Sequence, residues 1–253
     1  MHLYGSRSYG LSLADSDIDI VVTNLEGDPS RHTRRLSEAL SNESWVLRSF
    51  PLDRAAVPVI KLQTILTPLS ADISFGAETE SRGGVMVHSG MAMGGIMCGL
   101  KTNLPAMGPL VCVLKQYLKE RGLNTPYTGG LSSICLACMV ASYLQDVAST
   151  ADSHSHDSSN PHSNPNSLEF NQATCSKETH LGELLTGFLD HYGQLDYTKA
   201  SVSVHHGTSS ERPSDANGSS LFIEDPLQPG SDANIARGVF GMPSVKVHVF
   251  ESN

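Results

Sequence analysis

Three aspartates carry the chemistry this sequence could perform. Asp17 and Asp19 stand two apart in the run Ser16-Asp17-Ile18-Asp19-Ile20-Val21-Val22, and Asp72 lies in Ala71-Asp72-Ile73-Ser74-Phe75. Side chains alternate faces along a strand, so Asp17 and Asp19 share one face while Ile18, Ile20 and Val22 share the other and point to a core. Asp is disfavoured in strands, so two in a β-rich run need a reason. If the strand of Asp72 is a neighbour, three carboxylates converge. Two carboxylates about 5 Å apart repel by roughly 3 kcal/mol at an effective dielectric of about 20. Proteins relieve such a cluster by protonating one acid or by binding a cation. Hard oxygen donors suit Mg²⁺ (or Mn²⁺), which also binds substrate phosphates. Two such ions can activate an attacking hydroxyl and stabilise a leaving oxygen in phosphoryl transfer. Gly5 and Ser6 lie just upstream. A glycine there lets backbone N–H groups approach a phosphate, and the serine adds a donor.

The elements that must position these groups are legible in outline. Ile18–Val22, Val57–Leu62 and Ala71–Phe75 are β-rich. Thr33 to Leu40 has a short helical pattern with Arg34, Arg35 and Glu38 on its polar side. From about residue 86 the pattern turns helical. Pro109 stands in a first turn, Leu110, Val113, Leu114, Tyr117 and Leu118 repeat at helical spacing, and Gly122 closes the run. A second helix is expected from Ser132, a natural N-cap, to about Gln145. Lys115 and Lys119 sit i,i+4 and so share a face. A solvated lysine pair is the plain alternative to anion binding there. Ser132 and Ser133 open a helix, itself an anion-attracting end, although capping alone explains one of them. The polar stretch around residues 150–178 cannot bury enough apolar surface to offset ordering, so it is expected to be disordered. Its histidines fit a solvated linker better than a metal site. The helical pattern resumes at Leu181-Gly182-Glu183-Leu184-Leu185, and a second polar loop is expected at about 205–220.

Composition bounds the function. The chain has 253 residues, a formal charge of −9 and a pI of about 5.6. Bulk charge therefore does not attract nucleic acid; a local basic groove or a partner must do so. Five cysteines form an odd set without disulfide spacing. Cys135 and Cys138 make a C-x-x-C, but they lie in the apolar run 131–144 with no second ligand pair, so buried reduced thiols are the expectation. The opening residues show no basic n-region and no apolar run reaches membrane-spanning length, which reads as soluble, intracellular and without a membrane partner. The abrupt start and end read as a fragment of a longer protein.

The order Gly5-Ser6, Gly10-Leu11, Ser16-Asp17-Ile18-Asp19 and Asp72-Ile73-Ser74-Phe75 resembles the Trf-type poly(A) RNA polymerases, terminal nucleotidyltransferases of the DNA-polymerase-β superfamily. Arg54–Leu62, Leu110–Leu118, Pro126–Ser133, Leu181–Leu185 and Ile223–Gly230 extend the likeness along nearly the whole chain. The resemblance implies an α/β (α+β) fold: a palm with a small mixed sheet over residues 1–90, then a mostly helical central, PAP-associated domain over 91–253. It implies addition of AMP from ATP to an RNA 3′ end. Asp17, Asp19 and Asp72 would hold two Mg²⁺, with Asp72 assisting deprotonation of the 3′-hydroxyl. Gly5, Ser6, Lys115 and Lys119 would hold the triphosphate, with Ser132 and Ser133 also at the nucleotide. The resemblance further implies a zinc-knuckle RNA-binding subunit, an RNA helicase and a nuclear place in RNA surveillance. The chain departs from the family pattern at Ile134, where an aromatic is usual, and at Ser89-Gly90, where Asn-Gly is usual. In the base-recognition loop the family's asparagine corresponds to Ser231 or, with a small insertion, to Asn234. A terminal uridylyltransferase and an inactive RNA-binding or scaffold subunit of the same fold are the alternatives.

Overall fold

The computed structural model describes residues 1–55, 57–67, 69–76, 79–80, 86–87, 89–153, 180–205, 207–212 and 221–246. Residues 154–178 of the expected disordered insertion lie outside these, Cys175 among them, whereas 150–153 are helical because the preceding helix runs on to Ser153. The chain divides into two compact units, Met1–Cys98 and Gly99–Asn253. The division falls inside a helix, eight residues beyond the boundary at 90 drawn from the sequence.

The first unit is built on a five-stranded mixed sheet in the order β1-β2-β5-β4-β3. Its strands are β1 (His2–Tyr4), β2 (Ile18–Val22), β3 (Val46–Leu52), β4 (Val59–Thr64) and β5 (Ser70–Phe75). Only β2 and β5 run parallel; the other pairs are antiparallel. A four-residue turn of helix, α1 (Gly5–Ser8), follows β1 directly. The helix α2 (Pro29–Ser41) starts where Asp28 accepts a hydrogen bond from Ser30 N at 3.0 Å, with Pro29 fixing the first helical φ. Its inner face is Thr33, Leu36, Ser37 and Leu40, spaced for one helical stripe. Ser37 Oγ meets Ser49 Oγ of β3 at 2.8 Å, which satisfies two hydroxyls under the helix. Ser49 stands on the sheet face of Leu62, Ala71 and Ile18, so the isoleucine face expected for β2 packs under α2. The opposite face carries the acids. Short strands β6 (Thr79–Glu80) and β7 (Met86–Val87) pair with each other, and α3 (Ser89–Asn103) follows.

The second unit is centred on α4 (Met107–Glu120), α5 (Ser133–Ser153) and α6 (Leu181–Gln194). Leu110, Val111, Leu114 and Leu118 of α4 are buried. The helix ends in a Schellman motif: Gly122 N donates to Lys119 O and Leu123 N to Leu118 O, with Gly122 at φ +66°. A side chain at that φ would be strained, which is why glycine stands there. Ten consecutive residues of α5, Cys135–Leu144, are buried, so it is apolar all round and forms the core. It runs eight residues past the end expected at Gln145. Tyr192 of α6 reaches Met139 O at 2.9 Å, and Phe188 meets Tyr143 edge-on at 5.8 Å. The strand β8 (Ala200–Ser203) pairs with β9 (Gly207–Glu211). Residues 207–211 are therefore strand, not part of a polar loop: β9 is short and lies at the edge of a two-stranded sheet, so it carries no apolar alternation to reveal it. The unit closes with α7 (Met242–Val245). No single helix among the described residues is long and apolar enough to cross a membrane.

Candidate active site

Strand register places four polar side chains in one row across the sheet. Tyr4 of β1 faces Asp19 of β2, Asp19 faces Asp72 of β5, and Asp72 faces Lys61 of β4. Paired residues in a sheet present the same face, so this row is one continuous polar surface. Asp17 stands just before β2 on the same side.

Each acid is held differently. Asp72 is largely buried, and its Oδ2 accepts from Lys61 Nζ at 2.7 Å, whereas the lysine is half exposed. The other oxygen, Oδ1, is buried with no hydrogen-bond partner. An unsatisfied buried acceptor costs about 1–3 kcal/mol, more when charged, so this atom invites a ligand. Asp19 lies against the backbone of Gly5: a Cβ built on Gly5 would stand 1.9 Å from its carboxylate oxygen. Gly5 also has φ +69°, a conformation that side chains rarely adopt. Two independent constraints thus require glycine where the resemblance puts a phosphate-binding one. Asp17 is raised above the usual carboxylate range by partial burial first and by the Asp72 charge second, against the lowering pull of Lys61 and Arg7. Burial would lower the Lys61 ammonium, but its hydrogen bond to Asp72 and the charges of Asp72, Asp17 and Asp19 leave it raised. Tyr4, whose hydroxyl meets Ser74 Oγ at 3.3 Å, is also raised, by burial first and then by Asp19 and Asp72.

The convergence expected of three carboxylates is met in part. Asp19 and Asp72 are in register, and Asp17 senses Asp72. Among the described residues, however, no three acids, histidines or cysteines are gathered closely enough to hold a metal as they stand. Lys61 holds one oxygen of Asp72, and Asp19 rests on Gly5. The donor set itself fits a hard divalent cation, since it consists of carboxylate oxygens with one buried and unsatisfied.

Two residues of this site escaped the sequence reading. Lys61 lies inside the β-rich run Val57–Leu62, and its sequence position gave it no role. Arg7 likewise had no role from sequence, yet it donates to Ser16 O at 3.0 and 2.7 Å and to Ala14 O at 3.0 Å. It thereby clamps the turn that delivers Asp17. Ser6 lies within α1, and its carbonyl accepts from Leu11 N at 2.9 Å.

The remaining candidates lie in the second unit, apart from Ser89, which is exposed at the start of α3. Lys115 is buried at 8% exposure while Lys119 is exposed, so the i,i+4 pair does not present two solvated charges side by side. Ser132 accepts from Cys135 N at 3.2 Å, a cap of α5, and Ser133 is exposed at the first turn, followed by half-buried Ile134. Asn234 is committed to its own loop: Oδ1 accepts from Ile223 N at 3.0 Å and Ala236 N at 2.8 Å, and Nδ2 donates to Leu221 O at 3.0 Å. These bonds make it a structural asparagine that shapes residues 221–236. Ser231 Oγ accepts from Ala233 N at 3.3 Å in the same loop. Buried Glu224 receives the Ser203 hydroxyl and Gly230 N, which ties the loop to β8. Cys135 and Cys138 are buried free thiols; burial raises both, Cys135 to about 11, so they are unreactive core residues.

The mixed sheet, with an acid pair in register on β2 and β5 after a Gly-Ser turn, has the fold of solved nucleotidyl-polymerase cores. Residues 1–80 match the family described as "Poly(A) RNA polymerase, mitochondrial-like, central palm domain", and residues 180–230 match "Cid1 family poly A polymerase". Both family models and the relatives below make the chain similar to the Trf-type poly(A) RNA polymerases. It is 31% identical to the inactive poly(A) RNA polymerase protein Trf4-2 of Drosophila melanogaster, over 96% of this chain and 54% of that protein. It is 26% identical to Poly(A) RNA polymerase protein 1 of Saccharomyces cerevisiae, over 97% of this chain and 35% of that one. The chain thus spans about half, or less, of the length of these relatives. The polymerase core of TRAMP, an RNA surveillance complex, superposes with a TM-score of 0.68 at 25% identity, covering 97% of this chain and 69% of that chain. Cid1 poly(U) polymerase bound to Mg 3′-dATP shares the fold, with a TM-score of 0.66 at 20% identity, over 98% of this chain and 77% of that one.

Proposed function

We propose that this chain is the catalytic part of a template-independent poly(A) RNA polymerase that transfers AMP from ATP to an RNA 3′-hydroxyl and releases pyrophosphate. The observation that carries the reading is the in-register pair Asp19 and Asp72, with Asp17 beside them and Gly5 pressed against Asp19. Asp17, Asp19 and Asp72 would hold Mg²⁺. When bound, it would polarise the attacking hydroxyl and neutralise charge on the leaving pyrophosphate. Asp72, whose Oδ1 lacks a partner, is suited to accept the hydroxyl proton. Gly5 and Ser6 would line the phosphates, and Arg7 keeps the Asp17 turn in place. Lys115, Lys119, Ser132 and Ser133 would complete nucleotide binding. Asn234 would act there by holding the loop's shape.

The decisive experiment is extension of an oligo(A) primer with each of four NTPs and Mg²⁺. ATP incorporation that Asp17→Ala abolishes supports the reading; absence of extension, or unchanged extension in the variant, overturns it. Preferential UTP incorporation would instead make the chain a terminal uridylyltransferase, as the Cid1 neighbours are poly(U) polymerases. The inactive-subunit reading is favoured by one observation, the relative named inactive, and predicts no Mg²⁺-dependent ATP binding in calorimetry.

The charge of −9 supports delivery of RNA by a separate basic subunit. A zinc-knuckle RNA-binding protein with an RNA helicase, in the nucleus, is the arrangement carried over from the family. Co-purification of the tagged full protein, with imaging of its location, tests it.

A further inference from the structure

Lys61 stands at the end of the row Tyr4–Asp19–Asp72–Lys61, in register with Asp72 across the β4–β5 pair. Its Nζ is 2.7 Å from Asp72 Oδ2, and all three acids of the candidate site favour its charge. The ammonium reaches only one oxygen of Asp72; Oδ1 stays buried and unsatisfied. A monovalent donor of three hydrogen bonds cannot cover both oxygens of a carboxylate and the flanking acids together, whereas a divalent cation with several oxygen ligands can. Lys61 is half exposed on a long flexible stem, so it can withdraw into water without rearranging the sheet. Asp72, fixed in a strand between β2 and β4, cannot move away in its place.

We propose that Lys61 is a displaceable counter-cation of the acid row: it neutralises Asp72 until a divalent ion enters, and it sets the metal affinity of the site by competing for Asp72 Oδ2. This rests on the reading of Asp17, Asp19 and Asp72 as metal ligands. Lys61 is on this view a positioning residue, acting through Asp72. The ion pair then has two consequences. Removing the lysine tightens metal binding, because one competitor and one repelling charge are gone. It also destabilises the metal-free protein, because Asp72 is left charged and unpaired in a largely buried place.

The test is direct Mn²⁺ binding by electron paramagnetic resonance, with thermal melting in chelator and in saturating Mn²⁺, on the full chain. Lys61→Met and Lys61→Gln are expected to bind Mn²⁺ about tenfold more tightly than the parent. They should melt lower in chelator and gain more from Mn²⁺ than the parent does. Lys61→Arg keeps the charge and should stay close to the parent. Arg35→Met removes one exposed charge from α2 on the other side of the sheet and should leave affinity unchanged. Equal or weaker Mn²⁺ binding in both neutral variants, or an equal gain in Arg35→Met, overturns the inference while parent binding that Asp19→Asn removes leaves the metal-site reading standing. Absence of Mn²⁺ binding in the parent and in the Lys61 variants alike overturns both. The glutamine variant guards against a folding failure of the methionine one.

Discussion

At Gly5 one missing carbon decides whether the acid row can form. Positive φ and the carboxylate of Asp19 together exclude a side chain there. Gly5→Ala is expected to cost about 1–3 kcal/mol of stability, the usual scale of forced backbone strain. It should also reduce primer extension at least as severely as loss of an acid; urea unfolding and the extension assay read the two effects. Asp17 runs the opposite way. Its pKa is raised, by partial burial and then by Asp72, so its ionised form is less favoured in the fold than in the unfolded chain. The stability it contributes is therefore present below its unfolded pKa of about 3.9 and is lost as pH rises through the higher folded value. Asp17→Asn should accordingly raise the melting temperature in chelator at neutral pH while abolishing extension. A lowered melting temperature would show that Asp17 supports the fold. The D-x-D spacing and the Gly-Ser pair were legible from residue types alone. The partners Lys61 and Arg7 were not, since any strand edge or loop carries such charges.

Elements whose signals are local were legible; those defined by a distant partner were not. α4 announces itself by its apolar stripe and by Gly122, and α5 by Ser132 and its unbroken apolar run. β3 escaped because Val46-Leu47-Arg48-Ser49-Phe50-Pro51-Leu52 lacks clean alternation and contains Pro51. An edge strand tolerates both features, but its edge position depends on pairing with β4. The loop from Leu221 to Ala236 shows the same limit. The sequence offered Asn234 as a nucleotide reader, while the folded loop uses its amide three times on its own backbone. Asn234→Ala is expected to destabilise the second unit by about 1–3 kcal/mol, because buried donors and acceptors lose partners. Limited proteolysis should find faster cleavage within that loop. Ser132→Ala should cost about 1 kcal/mol through the lost cap of α5, measured by urea unfolding.

At the scale of the whole chain, pH also acts on the second unit, through His191. His191 packs against Tyr143 and Tyr192, with ring centroids at 5.6 and 4.8 Å, and its Nε2 is buried without a hydrogen-bond partner. Burial lowers its pKa, outweighing the opposing pull of Asp146. The unfolded chain then binds a proton at about pH 6.5 that the fold resists, so stability is full above that pH and falls as pH drops toward the lowered folded value. Urea midpoints at pH 7.5 and 5.5 should differ, and the difference should shrink in His191→Gln. An undiminished difference would assign the pH dependence elsewhere.

The sequence by itself determined what depends on short range. Strand parity places Asp17 and Asp19 on one face, helical period marks α4 to α6, and Gly5 and Gly122 stand where the backbone needs them. Together with block order along the chain, these point to a nucleotidyltransferase with an acid site. Tertiary structure alone decided which strands are neighbours and in what register. Pairing β2 with β5 brings Asp19 opposite Asp72 across more than fifty residues of chain. Pairing β4 with β5 then sets Lys61 against the same carboxylate. Those pairings follow from the burial of a shared isoleucine face under α2, a many-body packing choice that no local spacing encodes.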